Sequence, residues 1–449
     1  MRKLFAVLVL CALGMASNGA AQARANGPKA KRVVLITIDG FRIEMLRDKD
    51  MPSPVLKEMA AEGVLAERVV SVAPAITYPN HTALVTGARA ARHGIFYNSP
   101  FEWGNSTGVA NWYADSIKSP TIWEVAKENG LTTCSLFWPV TVGASYIDYN
   151  IPEVWSKEEG VTLRDVLCSH STPRGIMEEL EDEVVGRFSD ETYLPGGRNS
   201  EAHTAFIASY LLRTYRPALT TIHLWSTDAS QHATGTESAE TKKSLGAVDY
   251  AIGQIVEGLD RAGMLDSTVI VVSGDHGFTD VDRSIAPNIW MQEAGLLSAD
   301  GTEWKARFHC AGSTAFLYVR EAGDEKTVEK VVKKLNSLPQ EKRDLFRIVE
   351  KDELERLGCS PDAALALEPI VGVGVTGAMK GEDIVLKKAG KHGYLSPRET
   401  TVTLFWGNAV RSGKVIPEMS ITDVAPVIME LLGLEFDAPD GTLRDGIIR

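Results

Sequence analysis

The sequence predicts an α/β fold with a mostly parallel central sheet and helices on both faces. Three observations predict it. Short β-branched runs alternate with amphipathic helical stretches along most of the chain. Several of the helical stretches carry proline near their start and glycine at their end. Three of the apolar runs finish at or just before an aspartate, at Asp39, Asp228 and Asp275. Ligands of such sheets bind beyond the C-terminal ends of the strands, so acids placed there mark a site.

The first residues read as an address. Arg2 and Lys3 precede an apolar run from Phe5 to Ala12, and Ala21-Gln22-Ala23 is a small-x-small cleavage site. That pattern predicts a secretory signal peptide over residues 1–23. The run is too short to span a membrane, no later run is longer, and no transmembrane segment is expected. Cys11 lacks the preceding small residues of a lipoprotein signal. The expectation is an exported protein, periplasmic or released into the medium.

The 449 residues carry a formal net charge of -12. Loss of the leader removes Arg2 and Lys3 and no acid, which leaves -14. That balance argues against binding nucleic-acid duplexes, which takes basic stripes. It allows a single phosphate held by metal ions. Cys134, Cys168, Cys310 and Cys359 show no Cys-x-x-Cys pattern. Export predicts disulfide bonds or buried thiols for them, with three ways to pair.

Taken in order, Lys31 to Ile38 predicts a buried strand ending at Asp39-Gly40. Pro52 to Gly63 predicts a helix and Val64 to Val70 a second strand. Thr77 to Gly87 predicts a short helix with Pro79 in its first turn. Pro120 to Gly130 is a helix and Thr132 to Trp138 a strand. Residues 139 to 200 are less regular. The aromatics Phe101, Trp103, Trp112, Tyr113, Trp138 and Tyr146 read as loop residues that line a cleft or pack under long loops. A helix around His203 to Tyr215 leads to a strand over Leu219 to Trp225. A long helix from Ser238 to Ala262 leads to a strand over Ser267 to Val272.

The rhythm breaks from about residue 286 to 386. Ser313 to Val319 and Leu345 to Val349 read as strands around a charged helix from Glu325 to Leu338, and Pro369 to Gly374 is Val/Gly-rich. This predicts a small α+β insertion within one domain covering 24–449. Thr400 to Trp406 and Ile421 to Leu432 close the chain as strand and helix.

Five distant pieces carry metal-compatible chemistry. Thr77 stands at the mouth of a short helix, where free N–H groups favour an anion. Alone it would equally be a helix cap. Asp228 and His232, four apart, share one side of a helical turn. Asp275 and His276 sit together in Gly-Asp-His-Gly, and burying such a pair gains nothing apolar. His392 lies between Gly390 and Gly393, so its loop can approach closely. With Asp39, these are three carboxylates, three imidazoles and a hydroxyl. Nitrogen and oxygen donors together suit two Zn²⁺ ions, whereas an all-oxygen set would point to Mg²⁺ or Ca²⁺. Two ions ~3.5–4 Å apart clamp the attacking and leaving oxygens of a phosphoryl transfer. One ion would hold Thr77 and lower its pKa, making it a nucleophile.

The chain resembles the alkaline phosphatase superfamily, and within it the nucleotide pyrophosphatase/phosphodiesterase (type I phosphodiesterase) family. The matching words are Ile-Asp-Gly-Phe-Arg at 38–42, Thr-Tyr-Pro-Asn-His at 77–81, His-Gly-Ile-Phe-Tyr-Asn at 93–98 and Phe-Trp-Pro at 137–139. Asp-x-x-x-His at 228–232, Asp-His-Gly at 275–277 and His-Gly-Tyr at 392–394 follow in the family's order. The resemblance implies an alkaline phosphatase-like sheet and Thr77 as nucleophile. It implies one zinc on Asp39, Thr77, Asp275 and His276, and the other on Asp228, His232 and His392. It makes Asn98 the catalytic amide that grips a phosphate oxygen, and Tyr78 a substrate-binding aromatic that stacks on the leaving group. The family's larger animal members carry extra modules, so a minimal, bacterial-type member is implied.

Charge bears on the reaction. Two Zn²⁺ are balanced by three aspartates and an ionised Thr77. A monoester dianion would want further cations, and only Arg42, Arg89, Arg92 and Lys391 stand near the ligands in sequence. Asn98, a neutral donor, fits a diester. The expected function is a two-zinc phosphodiesterase or nucleotide pyrophosphatase that acts on a small-molecule phosphodiester or nucleotide through a phosphothreonine. The alternatives are a phosphomonoesterase or phosphonate hydrolase with the same ligands, and a non-catalytic phosphoester-binding protein. No Cys/Ser-x-Pro-x-Arg stands at the nucleophile, which argues against a sulfatase.

Overall fold

The computed structural model describes residues 27–104, 109–189, 200–395 and 399–449. The expected leader, with Cys11, lies outside the described residues. Strand β1 (Arg32–Ile38) runs through the middle of the molecule. Its sequence is apolar on both sides, so alternate residues enter two cores. Val34, Ile36 and Ile38 join one, and Val33 and Leu35 join the other.

The strands that follow are β2 (Val64–Val70), β3 (Thr133–Leu136), β4 (Tyr149–Ile151), β5 (Leu219–Leu224) and β6 (Thr268–Gly274). Next come β7 (Thr279–Ile285), β8 (Ala306–Ala311), β9 (Thr314–Val319) and β10 (Phe346–Glu350). Then follow β11 (Leu365–Pro369), β12 (Val373–Val375) and β13 (Ile384–Lys391). Last are β14 (Thr400–Trp406), β15 (Lys414–Ile416) and β16 (Met419–Ser420).

The main sheet has the order β15-β2-β14-β6-β1-β5-β3-β4, with β16 also on β2. β1 is parallel to β5 and β6, and β14 runs antiparallel to both its neighbours, β6 and β2. The helices Ser200–Tyr215 and Ala239–Arg261 cover one face. Thr77–Thr86, Ile122–Glu128 and Val424–Leu431 cover the other. The predicted parallel sheet with helices on both faces is therefore what forms. Its parallel centre follows from β-branched runs too apolar for water on either side.

Two smaller sheets are built from the irregular stretch. β10-β11-β9-β8 is antiparallel throughout and carries its own core of Phe308, Phe316, Leu317 and Leu365. β12-β7-β13 forms a third sheet, in which Ile285 pairs with Ile384. The chain thus leaves for the second sheet and returns on the same rung, and the returning strand delivers His392.

The structure adds the strands β7, β8, β12 and β13, which the sequence reading did not assign, and decides or corrects three further points. Within 139–200 it has an edge strand, β4, and helices at Leu163–His170 and Ile176–Leu180. Such short elements bury too few residues for a clear period. The crowded aromatics mostly pack rather than line the main cleft. Phe101 stacks on Tyr318 at 3.7 Å between ring centres, Trp103 lies against Trp304, and Trp138 is buried edge-on to Trp123.

The third point concerns sulfur. Cys134, Cys168, Cys310 and Cys359 are free, so the disulfide bonds expected from export do not form among them. They occupy separate elements: β3, the Leu163–His170 helix, β8 and the turn after the Lys351–Leu357 helix. Burial pushes the Cys310 and Cys359 thiols up to about 12, which makes them packing groups. No described helix is long and apolar enough to cross a membrane.

Gly274, the last residue of β6, lets Asp275 reach the sheet edge. A Cβ there would lie 1.8 Å from Thr401 Oγ1 and 2.8 Å from Phe41 Cβ. Gly274→Ala is expected to cost roughly 1–3 kcal/mol of stability through overpacking. Denaturant unfolding of both proteins measures this, and an unchanged midpoint would contradict it.

Candidate metal centre

Three neighbouring strands set the acids. β6, β1 and β5 lie side by side, and register aligns Ile38 with both Gly274 and Leu224. Asp39 and Asp275 follow those paired ends directly. Asp228 sits in the first turn of the Ser226–Thr234 helix that leaves β5. Gly40 turns the chain away behind Asp39 with φ +71°, and its N–H donates to Asp275 Oδ1 at 3.1 Å. A Cβ at Gly40 would meet the Phe278 ring at 2.6 Å.

Thr77 is the first residue of its helix, and the residue before it, Ile76, gives that N-terminus no side-chain cap. Its Oγ1 lies 3.4 Å from His276 Nε2. Asn80 holds the approach to Thr77 by accepting from Val72 N at 2.7 Å and donating to Ile76 O at 2.9 Å. His81 Nδ1 donates to Thr77 O at 2.9 Å.

The predicted ligands form two groups. Asp39, Asp275 and His276 are all buried, with ligand atoms within 4.8 Å of one another. Asp228, His232 and His392 form the second group on the same criterion. In the first, His276 Nε2 is 3.1 Å from Asp39 Oδ1 and 3.2 Å from Asp275 Oδ2. In the second, Asp228 Oδ1 is 3.3 Å from His232 Nε2 and 3.6 Å from His392 Nε2. The rings of His276 and His392 stack at 3.6 Å, so the groups adjoin.

The hydrogen bonds show which atoms are left over. His276 Nδ1 faces Gly277 O at 3.0 Å, His232 Nδ1 faces Gly390 O at 2.9 Å and His392 Nδ1 faces Ala75 O at 3.0 Å. A carbonyl only accepts, so each Nδ1 carries a proton. Burial holds His232 down at about 4 and His392 well below the usual imidazole range, so both are neutral. Their Nε2 atoms therefore present lone pairs to each other at 3.1 Å. Asp228 Oδ1 is buried without a hydrogen bond, and Asp39 Oδ1 and Asp275 Oδ2 share the single Nε2 of His276, at 3.1 and 3.2 Å. Facing lone pairs and buried carboxylate oxygens repel unless cations lie between them. This donor set, mixed nitrogen and oxygen with the ring Nδ1 atoms fixed by backbone, fits two metal ions.

The protonation pattern agrees. Burial and then the Asp39 charge push Asp275 up to about 7 and Asp228 well above the usual range. Burial opposes Asp39 too, but hydrogen bonds from His223 and His276 outweigh it and hold its carboxyl well below normal. Burial lowers His276, yet Asp275 and Asp39 raise it to about 10. Protons alone would thus hold the first group together, at the position a cation would take.

Two residues escaped the sequence reading. His223, in β5, is 3.2 Å from Asp39 Oδ2 through Nε2 and 3.1 Å from Glu153 Oε2 through Nδ1. Glu153 also accepts from Tyr78 Oη at 2.9 Å. The available signal was one histidine in the otherwise neutral run Leu-Thr-Thr-Ile-His-Leu, a buried polar group that needs partners. Glu153 gave none, being one acid in an irregular stretch.

Asn98 Oδ1 accepts from Tyr78 N at 2.9 Å, which turns its NH₂ group the other way. Asn98, Thr77, Asp39 and Asp228 line a cavity of about 310 Å³. Tyr78 also lines it, 2% exposed, with Phe137, Trp155 and Trp225. Among the described residues, no lysine or arginine lines this cavity. Arg42 pairs with Glu44 and Glu237, and Arg92 with Asp440. Arg89 directs its guanidinium to Arg356 O.

The model of the family described as Type I phosphodiesterase / nucleotide pyrophosphatase matches residues 33–395. Human ectonucleotide pyrophosphatase/phosphodiesterase family member 7 is 26% identical over 288 residues, 62% of this chain and 55% of that protein. The chain thus spans about half the length of that relative. Bis(5'-adenosyl)-triphosphatase of Mus musculus is 24% identical over 436 residues, 92% of this chain and 80% of that protein. Among solved structures, human ectonucleotide pyrophosphatase / phosphodiesterase 5 superposes with a TM-score of 0.65 at 20% identity, over 93% of this chain and 99% of that one. An inactive murine form in complex with AMP gives 0.65 at 19%, over 93% and 99%. These two likenesses concern the fold.

Two outcomes are expected. His223→Ala should weaken metal binding by about 10–100-fold, the usual cost of removing a group that orients a ligand. Competition with a chromogenic chelator measures it, and unchanged affinity would remove His223 from the site. In metal-free protein His276 (about 10) and Asp275 (about 7) hold protons near pH 7. Metal uptake should therefore release protons, and affinity should rise with pH from 7 towards 10. Calorimetry in buffers of different ionisation enthalpy reads that release directly.

Proposed function

The chain belongs to the type I phosphodiesterase / nucleotide pyrophosphatase family, and we propose that it is an exported, two-zinc hydrolase of phosphodiester or pyrophosphate bonds. The observation that carries the reading is the convergence of three buried aspartates, one oxygen unpaired and two sharing one imidazole nitrogen, with two facing imidazole lone pairs beside the Thr77 hydroxyl. In this reading Asp39, Thr77, Asp275 and His276 hold one ion, and Asp228, His232 and His392 the other. When bound, such ions supply Lewis-acid stabilisation of the phosphoryl oxygens and favour the Thr77 alkoxide.

The chain's own groups do the rest. Thr77 Oγ forms a bond to phosphorus as the bond to the leaving oxygen breaks, and the leaving oxygen keeps the electron pair. Water then attacks the phosphothreonine, frees Thr77 and releases the second product. The positive dipole end of the Thr77 helix favours the negative charge at this point. Asn98 supports the same reading: its oxygen is tied to Tyr78 N, so its NH₂ is the end free to donate to a phosphate oxygen. Tyr78 forms part of the cavity wall, its hydroxyl anchored on Glu153. Among the described residues that cavity is aromatic and has no lysine or arginine, and its one imidazole, His223, is already engaged by Asp39 and Glu153, which suits an uncharged substituent on a diester better than a second charge.

Thr77→Ala should retain bound metal and lose turnover by at least about a thousandfold, as expected for removal of a nucleophile. Activity within tenfold of the parent would refute the phosphothreonine. Wild-type protein loaded with zinc should prefer p-nitrophenyl thymidine 5'-monophosphate over p-nitrophenyl phosphate by about a hundredfold, or about 2.7 kcal/mol of transition-state preference. A preference for the monoester would replace the diesterase reading with a phosphomonoesterase.

A further inference from the structure

A second cavity, of about 430 Å³, borders the metal centre. His232, His392, His309 of β8 and Thr376 after β12 line it. Asn98 and Ser99 line both cavities, while Asp39, Thr77 and Asp228 line the first and His232 and His392 the second, so the candidate ligands divide between the two. Their chemistry is opposite. Among the described residues, the first is aromatic, with Glu153 paired to His223 and no lysine or arginine. The second, among the described residues, has no carboxylate in its wall and one lysine, Lys391.

Lys391 has no ion-pair partner among the described residues. It is half-buried and is the residue immediately before His392. Arg42 and Arg92 are neutralised by carboxylates, whereas Lys391 stands beside a group of metal ligands. With a cation held by its neighbour His392, an unpaired ammonium is repelled unless an anion lies between them. Position adds direction. Thr77 lines the first cavity and not the second. In an in-line displacement the leaving group departs on the side opposite the nucleophile.

We propose that the second cavity is an anion subsite, in which Lys391 holds a phosphate carried on the leaving group, and that Lys391 sets a preference for phosphoanhydrides over diesters with uncharged leaving groups. The inference rests on the hydrolase reading above. The uncharged half of the substrate occupies the aromatic cavity, and the charged half occupies the Lys391 cavity. In such a substrate the bond from phosphorus to the bridging oxygen breaks, the bridging oxygen keeps the pair, and pyrophosphate departs beside Lys391.

The test compares wild type, Lys391→Met and Lys391→Arg, each loaded with zinc to the same measured content. Thymidine triphosphate and p-nitrophenyl thymidine 5'-monophosphate share the retained half and differ in the leaving group. In Lys391→Met the ratio of their kcat/KM values should fall by about tenfold or more, the value of one charge-assisted contact, and Lys391→Arg should recover most of it. Inorganic pyrophosphate binding, followed by calorimetry, should weaken in Lys391→Met by a similar factor. An unchanged ratio together with unchanged pyrophosphate affinity would overturn the subsite. If wild type turned over neither substrate yet bound pyrophosphate through Lys391, the hydrolase reading would fall and the subsite would stand.

Discussion

Three aspartates crowd the C-terminal edge of three adjacent strands, and the rest of the structure is arranged around their repulsion. A carboxylate buried beside two others is costly in a medium with little water. Asp275 and Asp228 show that cost as raised protonation, and Asp39 escapes it through hydrogen bonds from His223 and His276. The parallel ladder β6-β1-β5 fixes the spacing, because the residues before Asp39 and Asp275 are paired in register. The acids cannot drift apart without breaking the central sheet. Charge relief must come from cations or protons placed among them.

The imidazoles are prepared for the same purpose by backbone rather than by other side chains. Carbonyls of Gly277, Gly390 and Ala75 each take an Nδ1 proton and turn the Nε2 inward. Two of those carbonyls belong to segments of the chain distant from their histidines. β13 supplies Gly390 to His232, and the loop before Thr77 supplies Ala75 to His392. The segment ahead of the Thr77 helix and the strand that delivers His392 therefore hold one another. Behind the acids, Tyr78, Glu153 and His223 form a hydrogen-bonded line to Asp39. A wall aromatic of the first cavity is thus tied to a metal-ligand candidate through two intervening side chains.

The β8–β11 sheet gives the centre a second side. Without it the groups Asp228, His232 and His392 would face solvent beyond β13. β8 instead lines a cavity together with His232 and His392, using His309 and its neighbours. The Phe101–Trp103 segment is packed onto this sheet through Tyr318 and Trp304, which brings the Asn98 loop against both cavities. Of the crowded aromatics, read from sequence as either cleft lining or packing, Phe101 and Trp103 serve as this clamp. Other aromatics, Trp155 and Trp225 among them, form the cleft.

Asp39, Asp228, His232, Asp275, His276 and His392 were legible in the sequence because strand ends, helical spacing and glycine-flanked turns are local properties. The same locality made the parallel sheet legible, since a run such as Val-Val-Leu-Ile-Thr-Ile has only one way to bury both faces. Local signals did not reach His223 or Glu153, whose meaning lies in a contact across 70 residues of chain. Nor could they show that four cysteines stay apart, or that Arg42 and Arg92 are neutralised while Lys391 is not. By itself the sequence determined which side chains could hold metal and that the three aspartates among them follow strand ends. Only the tertiary structure decided which donors face each other, which carbonyls fix the rings and which charges remain unpaired, because those depend on segments that meet only when the sheets are assembled.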